Sequence, residues 1–246
     1  MSRLFGTDGV RGIANEELTP ELAYKLGLYS GQIFKMRNDK GVLIGRDTRR
    51  SGDMLKYALG AGFMAAGLDV FDLGVVSTPA VAYLVKEYQY SGGAVISASH
   101  NPFEYNGIKI FDEMGFKLTD EEEDEIERMI KEDREVILET RENLGIVRDG
   151  KNLVRHYEEY LINLGKDLKG LKIALDCGNG AVSEMAPRIF EEMGVEVVSI
   201  HTNPDGKNIN LDCGSTKPEL VSKLVLESKA DLGFSFDGDA DRIIAA

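Results

Sequence analysis

Two loops about 140 residues apart hold the residue types that could do chemistry: Ser97-Ala98-Ser99-His100-Asn101-Pro102 and Asp237-Gly238-Asp239-Ala240-Asp241-Arg242. The first sets a hydroxyl beside an imidazole. The second sets three carboxylates at alternating positions, where they can converge on a hard divalent cation that prefers oxygen ligands. Together they point to metal-assisted phosphoryl transfer.

Ser99 follows an apolar run ending at Ile96, so it is expected at the carboxyl end of a strand, where open α/β sheets place their ligands. A serine hydroxyl is a weak nucleophile without an activator, and His100 and Lys109 are the near-sequence candidates. A plain polar turn built by Ser99, Asn101 and Pro102 is the alternative. A serine-hydrolase triad fits poorly, because no G-x-S-x-G elbow is present and a histidine adjacent to its serine is badly placed as a base.

The Asp237, Asp239, Asp241 loop also follows a strand-like run, Leu232 to Phe236. Three exposed carboxylates so close repel one another, and a bound cation is their natural counterpart. A solvated acidic turn is the bland reading. An EF-hand is excluded because its sixth position would be Arg242 instead of glycine. The serious competitor is an aspartyl-phosphate phosphatase of the haloacid dehalogenase type, with Asp237 as nucleophile and Asp239 as acid. It ranks second because Asp241 stands where that family carries Thr or Val, and no sequence remains for its later motifs.

Among the basic residues, Arg11 lies in a glycine-flanked loop, Gly6 to Gly12, and is the better phosphate ligand; Arg46 and Arg49 read as salt-bridged structure at a strand end. Gly178-Asn179-Gly180 lacks the third glycine of a dinucleotide fingerprint and reads as a tight turn. Cys177 and Cys213 read as reduced, partly buried thiols, and His156 and His201 as structural.

These groups need a scaffold. The chain has 246 residues, 43% of them apolar, enough for two ordinary domains. A net charge of −13 argues against nucleic-acid binding through the phosphate backbone, while a local basic pocket for small anions remains open. No apolar run follows Arg3 as in a signal peptide, and no stretch approaches bilayer length, so no membrane association is expected and the cytoplasm is the expected location.

Short apolar runs alternate with amphipathic stretches, which predicts helices on both faces of a sheet: an α/β chain of two successive three-layer α/β/α domains with mixed sheets. A helix is expected from Thr19 with Pro20 at its first position, burying Leu22, Leu26, Tyr29 and Ile33. Strands are expected at 42–44, 70–73, 94–96 and 108–111, with helices at 52–66 and 79–87. Thr119 with Glu122 makes a capping box, so the acidic run 120–125 reads as a helix start backed by Ile126, Met129 and Ile130. A second unit should follow, with helices at 151–164, 182–193 and 218–228 and strands at 172–175, 195–200 and 232–236. The boundary is expected near residue 150, giving domains of 1–150 and 151–246. Ile243-Ile244 reads as the start of a strand whose partner lies beyond the sequence.

Four motifs agree in order and spacing: FGTDGVRG at 5–12, GRDTRRSG at 45–52, SASHNPFEYNGIKIF at 97–111 and DGDADR at 237–242. In these the chain resembles the α-D-phosphohexomutase superfamily over essentially its whole length. Within it, the opening motif, ANEELTPELAYKLG at 14–27 and LDCGSTKPE at 211–219 resemble most the bacterial branch acting on glucosamine phosphate. The resemblance implies that phosphate moves between C6 and C1 of a hexose phosphate by way of phosphoserine and a hexose bisphosphate. It implies Ser99 as the phosphoserine, Asp237, Asp239 and Asp241 with a Ser99 phosphate oxygen as the Mg²⁺ ligands, Lys109 and His100 as proton handlers, and Arg11 and Arg242 as phosphate-binding support. It also implies that a third and a fourth domain, which orient the sugar, lie outside this chain, so that the fragment alone is inactive or weakly active. A homodimer is compatible with it. A non-catalytic sugar-phosphate-binding module is the remaining alternative.

Overall fold

The computed structural model describes residues 3–165 and 168–246. They form two α/β/α units with mixed sheets. The first sheet has six strands in the order β1-β5-β4-β2-β3-β6: β1 Val10–Ile13, β2 Val42–Arg46, β3 Val70–Val75, β4 Gly92–Ile96, β5 Tyr105–Phe111 and β6 Val147–Asp149. Strands β2, β3, β4 and β6 run parallel, while β5 is antiparallel to both β4 and β1. The second sheet has four strands in the order β10-β9-β7-β8: β7 Lys172–Asp176, β8 Glu196–Ile200, β9 Leu232–Phe236 and β10 Ile243–Ala245.

Local chemistry explains the helices. Helix α1 (Pro20–Arg37) starts where Thr19 accepts a hydrogen bond from Leu22 N at 3.1 Å, with proline at the first position, where no donor is lost. Helix α2 (Gly52–Ala65) packs beside α1 on one face of the first sheet, and α3 (Thr78–Tyr88) covers the other face. Along β2, Val42 and Ile44 enter the α1/α2 core while Leu43 enters the α3 core, the two-residue alternation of a strand buried on both faces. Helix α4 (Asp120–Lys131) has the expected capping box, and Ile126 and Met129 are buried.

Helix α5 (Lys151–Leu164) packs on α3 and on α6 (Met185–Glu192), while α7 (Pro218–Ser228) lies against β7 and β9. The second apolar cluster is shared by both units: Leu43, Leu73 and Val81 of the first are continuous with Tyr157, Ile173 and Leu175 of the second. No described helix is long and apolar enough to cross a membrane.

The structure departs from the sequence-based expectations at several edges. Arg11 is not in a loop; it sits on β1, opposite Gly107 of β5. A Cβ on Gly107 would fall 3.0 Å from Arg11 Cγ, so glycine there lets the guanidinium stem cross the strand. Strand β6 is fully exposed and was not expected, because an edge strand with no buried face has no alternation to read. Helix α6 begins at Met185 instead of 182, since the preceding residues are spent on turns such as Ser183 N to Gly180 O. The strand at Ile243 finds its partner within the sequence: β10 folds back antiparallel on β9, pairing Ile243 with Phe236 and Ala245 with Phe234.

Candidate active site

The carboxyl ends of β2, β4 and β9 meet. Beyond β4, Ser97 Oγ donates to Asp47 Oδ2 at 2.6 Å and accepts from Ser99 N at 2.9 Å. Ser99 is fully buried and has φ +53°, a left-handed conformation that a serine holds only when its surroundings impose it. Those surroundings are Arg49 and Asp47, both buried. The Arg49 guanidinium pairs with Asp47 at 2.9 Å and donates to the carbonyls of Ser99 (2.8 Å), Asn101 (2.9 Å), Pro102 (2.5 Å) and Tyr105 (3.1 Å). The structural role expected for Arg49 is therefore a definite one: it holds the serine loop.

Across the gap, Ser99 Oγ donates to Asp237 Oδ2 at 2.6 Å. Asp237 and Asp239 are fully buried, and only Asp241 is partly exposed, so the three exposed carboxylates expected from the sequence are corrected to one. Oxygens of Asp237, Asp239 and Asp241 all lie within 4.8 Å of one another. Asp239 Oδ2 accepts from Thr78 Oγ1 at 2.5 Å and Lys109 Nζ at 2.7 Å, while Asp239 Oδ1 is buried without a donor among the described residues. An orphaned buried carboxylate oxygen facing two further carboxylates suits a hard cation.

Lys109, on β5 opposite Val95, also reaches Asp241 at 2.9 Å and Asp8 at 3.0 Å. Burial works against its charge, but Asp239 and Asp241 overcome this and raise its pKa far above the ordinary value, so it is an ammonium at any working pH. Burial also opposes the charge of Asp8, yet Lys109 and Arg11 hold that carboxyl below the usual range. Asp237 moves the other way: burial and then the nearby Asp239 push it up to about 6. His100 is exposed, with Nδ1 3.4 Å from Ser99 Oγ and 3.0 Å from an Arg242 guanidinium nitrogen. Partial desolvation of its ring against the loop, then Arg242 and Arg11, lower its pKa and favour the neutral imidazole.

Ser99, His100, Lys109, Arg11, Arg242 and the three aspartates of the second loop thus converge, though not with the contacts expected. The hydroxyl of Ser99 bonds to Asp237 and not to Lys109. Asp8, Thr78 and Asn210 join the site unannounced. Asp8 stands three residues before Arg11 and bonds it at 2.6 Å, a spacing visible in the sequence; Thr78 and Asn210 reach the site only through tertiary packing.

Asp176, His201 and Cys213 form a second group of ligand-type side chains at the ends of β7 and β8, and its donors are committed. Asp176 accepts from Gly178 N, Gly214 N and His201 Nδ1 at 3.0, 3.0 and 2.9 Å, and burial pushes the Cys213 thiol up to about 12. The His201 ring is taken up by Asp176, and both thiols are fully buried instead of partly. His156 lies on α5 against Tyr88.

Residues 2–136 match phosphoglucomutase/phosphomannomutase α/β/α domain I, and residues 154–246 match domain II of the same family. Over its whole length the chain is 55% identical to the phosphoglucosamine mutase of Alkaliphilus metalliredigens, covering 55% of that relative, and 52% identical to that of Alkaliphilus oremlandii, covering 56%. Its fold matches the crystal structure of a phosphoglucomutase/phosphomannomutase family protein from Burkholderia thailandensis with a TM-score of 0.85 and 28% identity, over 99% of this chain and 54% of that one. The chain therefore spans about half the length of the relatives it matches. With two family domains matched in order and the serine and aspartate loops of both meeting at one point, the chain belongs to the phosphoglucomutase/phosphomannomutase family.

Proposed function

We propose that this chain is the phosphoryl-carrying part of a phosphohexomutase, with Ser99 as the residue that takes and returns the phosphoryl group. The observation that carries the reading is the 2.6 Å bond between Ser99 Oγ and Asp237 Oδ2, which joins two loops 138 residues apart. Phosphoryl transfer asks the protein for positioning and charge neutralisation more than for covalent help. Arg49 fixes the serine loop, and Arg11 and Arg242 bring guanidinium groups to its mouth.

Asp237, Asp239 and Asp241, with an oxygen of the Ser99 phosphate, would hold Mg²⁺, whose charge would neutralise that of the phosphoryl group. The two titratable neighbours have environments that push them apart. Neutral His100 takes the proton from the attacking sugar hydroxyl and, with Nδ1 3.4 Å from Ser99 Oγ, returns one to that oxygen as its bond to phosphorus breaks and the new sugar O–P bond forms. Lys109 stays charged and offsets the negative charge gathered at Asp239, Asp241 and the phosphoryl group. The reverse transfer from the hexose bisphosphate returns a phosphoryl group to Ser99, and phosphate has moved between C6 and C1.

The relatives named phosphoglucosamine mutase make glucosamine phosphate the substrate proposed for the whole protein, acting in the cytoplasm. Selection of the sugar belongs to the portion of those relatives that this chain does not span. Within the chain, a boundary near residue 150 divides a serine-bearing domain from a metal-binding one; this rests on β6 closing the first sheet just before α5. Incubation with a hexose 1,6-bisphosphate and Mg²⁺, followed by intact mass and peptide mapping, should place one acid- and hydroxylamine-stable phosphate on Ser99. Ser99→Ala should take none. Equal labelling of that variant, or an adduct cleaved by hydroxylamine, would replace this reading with the aspartyl-phosphate one.

A further inference from the structure

We infer that Asn210 is a positioning residue for Ser99, holding the serine backbone from the second unit while Arg49 holds it from the first. The inference rests on the phosphoserine reading and adds a residue to it. Asn210 lies in the long connection between β8 and α7, nine residues after His201 and far in sequence from both active loops. Its backbone N donates to Gly178 O at 2.9 Å, which anchors it to the turn after β7. Its side-chain amide then leaves its own unit, and Nδ2 donates to Ser99 O at 2.8 Å and Asn101 O at 3.2 Å.

Three features give that contact weight. Ser99 O accepts from Arg49 at 2.8 Å and from Asn210 at 2.8 Å, so both lone pairs of one carbonyl are filled, each from a different unit. The residue so held is the one with φ +53°, a backbone that relaxes unless it is restrained. Finally, Asn210 abuts the aspartate loop as well: a Cβ added to Gly238 would fall 2.9 Å from Asn210 Nδ2 and 2.5 Å from Ser99 O. The amide is therefore wedged between the serine loop and the loop carrying Asp237. It touches no reacting atom, and it acts through the Ser99 backbone, which sets where Oγ points.

Asn210 itself has φ +56°. That supplies a clean variant, because glycine accepts this backbone more readily than asparagine, so Asn210→Gly removes the amide without straining the chain. Asn210→Asp keeps the shape but turns a carboxylate toward two carbonyl oxygens. Asn208→Ala is the control: its side chain serves Asp205 N and Asn203 O in the same connection and does not reach Ser99.

The experiment measures phosphate uptake on Ser99 from a hexose 1,6-bisphosphate by intact mass, in the full 246-residue chain, as a function of donor concentration. A small misplacement of a reacting group costs up to about 100-fold, so Asn210→Gly should slow the saturated rate about 10- to 100-fold with the half-saturating donor concentration unchanged. Asn210→Asp should be slower still, and Asn208→Ala should match wild type. Hydrogen exchange supplies a second readout independent of phosphate: the Asn101 and Tyr105 amides, bonded to Ala98 O and Pro102 O, should exchange faster in Asn210→Gly and not in Asn208→Ala. Wild-type uptake and protection in Asn210→Gly would overturn the inference, as would equal losses in Asn208→Ala. If wild type takes no phosphate, the phosphoserine reading fails, and the exchange data still decide whether Asn210 holds the loop.

Discussion

Two clusters of ligand-type side chains sit on adjoining strands of one sheet edge, and they differ in what is left unmet. At the end of β7, the Asp176 carboxylate is filled by two backbone amides and by His201. At the end of β9, Asp239 keeps one oxygen without a donor, and its other oxygen is met by a hydroxyl and a lysine. Composition alone would favour the first, which offers Asp, His and Cys, over three aspartates. Hydrogen-bond accounting reverses that order: a satisfied buried carboxylate is structure, and an unsatisfied one marks where a ligand is to come.

The largest expected effect breaks the structural cluster. Asp176→Ala strands two buried amides and a histidine, and should cost about 3–5 kcal/mol of unfolding free energy, as loss of one partner from a buried charged network does. Denaturant titration measures it. In whatever fraction stays folded, Mg²⁺ affinity should stay within about tenfold of wild type, since the aspartate loop is untouched. A large loss of affinity with little loss of stability would invert the comparison.

Asp239→Ala should do the opposite. Removing the central carboxylate should weaken Mg²⁺ binding by about 100-fold, as read by calorimetric titration. The metal-free protein should lose stability, because Asp239 is paired with Thr78 and Lys109 and is not merely repelled by its neighbours. Unchanged Mg²⁺ affinity would remove the aspartate loop from the metal assignment.

The sequence shows the two halves of this site unequally. Strand β4 is legible because the apolar run Ala94 to Ile96 ends in a polar loop, β9 because Leu232, Phe234 and Phe236 lead into one, and the Thr19 and Thr119 caps because their side chains act within one turn. Strand β1 escapes because Val10–Ile13 is four residues with a glycine, and its strand identity comes from pairing with β5, about 95 residues away. Ser99, Asp237 and Lys109 can be named from residue type and neighbours. That Ser99 bonds to Asp237, that Lys109 sits among three carboxylates and that Asn210 reaches Ser99 all depend on how two separately coded units dock. Nothing local in the chain encodes that distance.

A smaller effect sharpens the comparison through pH. The Asp237 carboxyl, pushed up to about 6 from an ordinary 3.8, binds its proton more tightly folded than unfolded. Its ionisation therefore costs stability, and the cost appears as pH rises from about 4 through about 6 and is relieved as pH falls. Relative to Asp237→Asn, metal-free wild type should lose on the order of 2–3 kcal/mol at most over that window. Denaturation in chelator at several pH values gives the difference. With saturating Mg²⁺ the slope should flatten, because a cation stabilises the ionised form. A slope of the opposite sign would mean that Lys109 and Ser99, not burial and Asp239, govern this carboxyl.

The smallest effect tests whether the structural cluster is as inert as its hydrogen bonds imply. A soft cation could use Cys213 only by displacing the proton of a thiol pushed up to about 12 and by taking His201 from Asp176, whose remaining contacts are backbone amides. Titration with Cd²⁺ should therefore produce no thiolate charge-transfer absorbance in the folded chain. The thiols of Cys177 and Cys213 should react with an aromatic disulfide only after denaturation, since both are fully buried. Stoichiometric Cd²⁺ absorbance lost in both Cys213→Ser and His201→Ala would show that a carboxylate filled by backbone amides can still give up its histidine to a metal. The rule separating the two clusters would then have to rest on exposure and not on hydrogen-bond saturation.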